Sequence, residues 1–233
     1  MTTAHGKAHR SLLDDALPDI QRLIDFHEKE TGRARGRRRP EIQVVSRSAV
    51  VLICACWEAF CEDLAAEALC HLADHAPNGA ALPNEIKKTL KNSLLDERNE
   101  LAIWDLADDG WRTALRDRAE MLSRDEDRTL NTPKPTQVQE FFLKNLGLSD
   151  ITASWRWHKN EPDRTRERLK NFVVLRGSIA HRGSPKGGVL KRDATDGLEL
   201  IQRLADRSAE RVSGHLLQHT GTGLPVLDPP ELA

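Results

Sequence analysis

The sequence predicts an all-α protein, an up-and-down helical bundle with extra short helices inserted. Three observations carry this expectation. Apolar residues recur at helical spacing along most of the chain. Strand signals are scarce, because tyrosine is absent and β-branched residues rarely alternate with polar ones. One segment, 41–75, stays apolar around so much of a helix that it must be covered on more than one side.

The first helix is expected over roughly 8–30. Leu13, Leu17, Ile20, Leu23, Ile24 and His27 make its stripe, and Pro18 interrupts or bends it. GRARGRRRP follows, with five arginines in the seven residues Arg33–Arg39. That run reads as a solvated loop or as an RNA-phosphate patch. In the second helix Ile53, Trp57, Phe60 and Leu64 follow the +4, +3, +4 spacing of a core face, which Ala49, Leu52, Cys56 and Ala59 widen. Pro77, Asn78 and Gly79 end it. Residues 83–130 read as short charged helices anchored by Trp104 and Trp111.

NTPKP is a break. QVQEFFLKNLGL, 137–148, is a short helix with a glycine stop. Trp155 and Trp157 then fall in a loop, either packed on the core or free to stack on a base beside Arg156 and His158. Asp163 is the expected N-cap of a helix over about 163–182, with Leu169, Phe172, Val173 and Ala180 as its apolar side. A last helix, about 193–218, carries Leu198, Ile201, Ala205, Val212 and Leu216. The Pro- and Gly-rich tail is expected to be disordered. The predicted organisation is an N-terminal helix and Arg-rich loop (1–40), a helical domain (41–220) and a tail (221–233).

Composition narrows the function. The formal net charge is -1, with 30% charged and 39% hydrophobic residues among 233. That balance argues against coating nucleic acid by bulk electrostatics, while leaving room for a small basic cleft. No signal-like stretch opens the chain, and AVVLICACW (49–57) is too short to span a bilayer, which needs about 20 apolar residues. The expectation is a cytoplasmic protein that does not engage a membrane. Cys54, Cys56, Cys61 and Cys70 fall in one helix without zinc-site spacing and read as free buried thiols in a reducing compartment. His71 and His75, beside Cys70, have i, i+4 spacing but lack a second cluster. No metal or cofactor is predicted.

The stretch RGSIAHRG (176–183) carries the chemistry. RNA can be cut when a base takes the 2′-OH proton, an acid protonates the departing 5′-oxygen, and a cation steadies the phosphate charge. Histidine suits both proton roles, and arginine meets phosphate with a planar fork. Gly183 as a helix stop would place His181 and Arg182 in the final turn, where the negative helix end favours an imidazolium acid. Ser178, three residues before His181, shares its face and could bond a phosphate or the imidazole.

The spacing alone is weakly specific, because Arg22 and His27 repeat it in a charged helix. A charged helix terminus is the competing reading of 176–183. Five residues of ideal helix turn roughly 140° and rise about 7.5 Å, so Arg176 and His181 do not share a stripe. Two subunits packed about a two-fold axis would gather both pairs in one cleft, which makes a homodimer the expected assembly.

Two longer stretches join this motif. RSAVVLICACWEAFCEDLAAEAL (47–69) and VQEFFLKNLGLSDITASW (138–155), together with Arg176-x4-His181, resemble the HEPN superfamily. The likeness is to its stand-alone bacterial branch related to RiboL-PSP-associated HEPN domains, over roughly 40–220. The resemblance implies a bundle that dimerises through its motif helices. It also implies a metal-independent endoribonuclease, often a toxin or antiviral effector, with Arg176 and His181 catalytic. Members commonly carry Asn, Asp or His after the arginine, where this chain has Gly177. Glu58 either orients Arg176 or His181 or is an exposed charge. RNA and a protein antitoxin are the expected partners. A non-catalytic RNA- or nucleotide-binding module and a helical protein-interaction partner are the alternatives.

Overall fold

A computed structural model describes residues 3–31, 40–95, 101–124, 130–182 and 188–228. The Arg33–Arg39 run and Gly183 lie outside them. The order is β1 (Ala4–His5), α1 (Lys7–Ser11), a π turn (Leu12–Ala16), α2 (Leu17–Thr31), α3 (Pro40–His75), α4 (Asn84–Leu95) and α5 (Gly110–Ser123). Then come α6 (Pro135–Leu146), α7 (Pro162–Arg182), α8 (Lys191–Thr220) and β2 (Val226–Leu227). The all-α bundle expected from the sequence is what forms.

α3 is the hub, packed by α2, α5, α6, α7 and α8. Its buried side chains, among them Ile53, Trp57, Phe60, Leu64 and Leu72, follow the predicted face. Val44, Ser48, Leu52, Ala59 and Asp63 leave one exposed stripe along it. By length and composition Gln43–His75 could cross a membrane, contrary to the reading taken from 49–57 alone. Here half of its most apolar window is buried inside the bundle. Trp57 stacks on Phe60 at 5.7 Å between centroids and meets Trp155 edge-on at 6.0 Å. Trp155 is fully buried, and its indole N–H donates to Ser208 on α8 at 2.9 Å. A buried tryptophan needs such a partner for its one polar atom.

Pro18 widens the first helical run into the π turn just before it. Its ring crowds the Asp14 carbonyl and it offers no N–H, so the chain adopts the wider i→i+5 pattern. α1 and α2 pack on α3 and α8. α6 ends at Gly147, whose φ of 70° is left-handed backbone that glycine adopts without strain.

Three expectations change. Trp111 is 6% exposed and anchors α5, but Trp104 is 72% exposed on a 3₁₀ turn and anchors nothing. α7 starts at Pro162, so Asp163 lies in the first turn rather than at the cap, as fits a proline in the first helical position. In the tail expected to be disordered, Val226–Leu227 pairs antiparallel with Ala4–His5. Leu224 is buried there, and Arg10 donates to the Leu227 carbonyl.

Candidate functional site

α7 presents RGSIAHRG at its C-terminal end. The helix is seated by Leu169, Phe172, Val173 and Ile179, all buried. The helix packs mainly on α3. Where Phe172 reaches α8 it lies against Gly197, and a Cβ there would fall 2.3 Å from the ring, so a side chain at that position would force the ring or the backbone to shift.

The motif residues divide between two sides of α7, as the helix geometry requires. Val174 and His181 are exposed, and Gly177 and Ser178 are half-buried on the same side. A Cβ on Gly177 would meet nothing within 4 Å. The groove space that a longer residue would occupy after the arginine is open.

Arg176 is half-buried on the side facing α3. Its Nε is buried without a hydrogen-bond partner. Among the described residues, no hydrogen bond or ion pair joins Arg176 to His181. The side chain of Arg182 falls outside them, although its backbone completes α7.

Cys54 and Glu58 lie one helical turn apart on α3, and the Arg176 charge is felt at Cys54. Glu58 is 6% exposed, which overturns its reading as an exposed charge. Burial pushes the Cys54 thiol up to about 11, with the Arg176 guanidinium pulling down and the Glu58 carboxylate pushing up. Both charges therefore act on the same sulfur, and Cys54 stays a neutral thiol between them. Cys61, one turn beyond, is raised as well, by burial first and then by Glu62 and Glu58. The sequence showed these cysteines as core thiols. What it did not reveal is that the Arg176 and Glu58 charges both act on Cys54. The signal was available in the i, i+4 spacing of Cys54 and Glu58, on the face of α3 that the motif helix covers.

The competing arginine–histidine pair behaves differently. Arg22 is 77% exposed and pairs with Asp19 at 2.5 Å within its own helix, while the side chain of His27 is outside the described residues. Among the described residues Arg176 makes no such pair, so the two matches are distinguishable by environment though not by spacing.

Three other histidines, His71, His215 and His219, bond backbone carbonyls of distant segments. His215 donates from Nε2 to the Leu146 carbonyl at 2.8 Å, fastening α8 to the end of α6. His71 and His75 stack at 4.2 Å, and His71 donates to the Thr222 carbonyl at 3.1 Å. Burial lowers the pKa of both His71 and His215.

This arrangement supplies a guanidinium set against a helix floor and an imidazole on an open helix end. In one chain they do not converge on a common point. A family model described as RiboL-PSP-HEPN matches residues 12–213. No curated protein and no solved structure matches the chain.

Proposed function

From a chain that belongs to the RiboL-PSP-HEPN family, we propose a metal-independent endoribonuclease that acts as a homodimeric toxin or antiviral effector. The observation that supports this most is the setting of Arg176. It is the motif arginine, its buried Nε lacks a partner, and no carboxylate pairs with it among the described residues. A guanidinium so placed is held by packing and keeps its charge for a phosphate.

In the proposed reaction the 2′-oxygen attacks phosphorus and the bond to the 5′-oxygen breaks. A neutral His181 imidazole takes the 2′-OH proton, and the partner subunit's His181, as imidazolium, protonates the departing 5′-oxygen. Arg176 stabilises the charge on the non-bridging oxygens. The products are a 2′,3′-cyclic phosphate and a 5′-hydroxyl. Ser178, on the His181 side of α7, is a candidate to hold the phosphate or the imidazole, and Arg182 to add positive charge. Glu58 acts from below, biasing the orientation of Arg176.

The two-fold arrangement draws support from exposed apolar side chains. Val44 and Leu52 on α3 and Val174 on α7 are 53, 47 and 50% exposed. Packing them against a second copy would bring two motif helices face to face and supply the convergence that one chain lacks.

The experiment is incubation of the purified protein with single-stranded RNA in excess EDTA, with the product ends mapped. Fragments ending in 2′,3′-cyclic phosphate and 5′-hydroxyl support the proposal. Intact RNA across several substrates, with the protein dimeric, rejects it. Binding without product would favour the second reading, a non-catalytic binding module, for which Gly177 and the open space beside it speak.

A further inference from the structure

Away from the motif helix, α4, α5 and α6 wall a polar groove made of two cavities, of about 650 and 400 Å³. Arg118, Glu140 and Lys144 line both, so the two form one trough. Arg118 is its most unusual member. The guanidinium is half-buried, and its Nε and Nη2 donate to the Asn145 amide oxygen at 3.1 and 2.7 Å. Asn145 is 3% exposed, and its own amide N–H donates to the Phe141 carbonyl at 2.9 Å. That second bond fixes which end of the amide faces the arginine.

A neutral amide is thus the partner that holds this cation. Among the described residues no ion pair reaches Arg118. Burial lowers its pKa from the ordinary arginine value. A partly dried charge without a counter-charge is costly, and an anion in the groove would offset that cost.

The other lining charges leave room for one. Lys88 pairs with Glu85 at 2.7 Å. Arg118 and Lys144 then face Glu140, a surplus of one positive charge. The hydroxyls of Thr89 and Ser93 donate to backbone carbonyls at 2.9 and 2.8 Å. The Nη1 group of Arg118 has no partner among the described residues, so its donors remain available. An arginine fork beside a lysine suits the oxygens of a phosphate, and the larger cavity is within the roughly 300–1,000 Å³ range of ligand sites.

We propose that this groove binds a phosphate ester, with Arg118 and Lys144 as the anion's partners and Glu140 as the residue that restrains affinity. The ester could belong to a free nucleotide or to an RNA backbone, which share this chemistry. The site is separate from Arg176 and His181 and does not depend on their role.

The test measures binding of ADP by calorimetry and of a short single-stranded RNA by fluorescence anisotropy, at low salt. The full chain carries Arg176→Ala and His181→Ala in every sample, so that the motif neither cuts nor dominates. Lys144→Ala and Arg118→Gln are expected to weaken binding about tenfold or more, the scale of a lost hydrogen bond to a charged group. Glu140→Gln is expected to tighten it severalfold. A purely structural arginine would not produce that opposite shift. Response of ADP binding identifies a nucleotide, and response of RNA alone identifies a backbone phosphate. Either supports the groove. The proposal is overturned if neither probe binds at millimolar concentration, or if Lys144→Ala and Glu140→Gln both leave affinity unchanged. Those two side chains are exposed, so the fold survives their replacement. Groove-dependent binding here, alongside intact RNA from the wild type in the separate EDTA cleavage assay, would reject the nuclease alone. An active one whose binding ignores the groove would reject the groove alone.

Discussion

Replacing Gly197 by alanine should crowd the Phe172 ring where the motif helix touches α8. The added Cβ would fall 2.3 Å from Cε2 and 2.7 Å from Cζ of Phe172. Carbon atoms rest at about 3.5–4.0 Å, so the overlap exceeds roughly 1 Å. Phe172 is 7% exposed and cannot swing into solvent without giving up its burial. The relief must come from α7 and α8 moving apart or from a strained ring rotamer. Overpacking of this kind costs about 1–3 kcal/mol. Alanine returns about 0.8–1 kcal/mol through helix propensity. The net expectation is a loss of up to about 2 kcal/mol, read as a lower urea midpoint by far-UV circular dichroism. Gly177→Ala is the matched control, because its Cβ meets nothing within 4 Å. It should gain up to about 1 kcal/mol from propensity alone. Adding Phe172→Leu to Gly197→Ala should recover part of the loss. A Gly197→Ala protein at least as stable as wild type would refute the close-approach argument.

Other outcomes follow from burial and charge. Trp155→Ala should cost about 3–5 kcal/mol, measured by the same unfolding curves, since it empties a fully buried site and orphans the Ser208 hydroxyl. Stability should fall with acidification below about pH 6.5, the ordinary histidine value. His71 and His215 have lowered folded-state pKa values, so the unfolded chain takes up protons first and gains as pH drops, until the folded values are passed. Urea midpoints at pH 7.5 and 5 check this, and His215→Gln should flatten the difference. Iodoacetamide at neutral pH should label Cys70 before the other cysteines in mass spectra. All four thiols are raised by burial, so access sets the order: Cys70 is exposed, against the expectation of a buried thiol, Cys56 is half-buried, and Cys54 and Cys61 are buried.

The helices were legible in the sequence because their signals are local. Ile53, Trp57, Phe60 and Leu64 announce a buried face by spacing, and Gly147 marks the end of α6. What stayed hidden depends on contacts between distant segments. Trp104 and Trp111 are alike as sequence, and the packing of α5 decides that one is core and the other surface. Val226–Leu227 looked disordered because its partner, Ala4–His5, is at the other end of the chain. Glu58 could be read as a motif-orienting group or as a surface charge, and only the packed bundle shows it buried. The motif was legible as Arg176-x4-His181, but its helix alone cannot bring the two side chains together. Arg118 gave no signal at all, being one arginine among many until Asn145 is seen to hold it.

The most direct measurement is the cleavage rate of single-stranded RNA in EDTA by wild type, Arg176→Ala and His181→Ala, with RNA affinity and oligomeric state recorded for each. The account predicts that each variant stays folded and dimeric and loses about 100-fold or more in rate, the scale of a missing general acid–base group. Wild-type rates in both variants would contradict it.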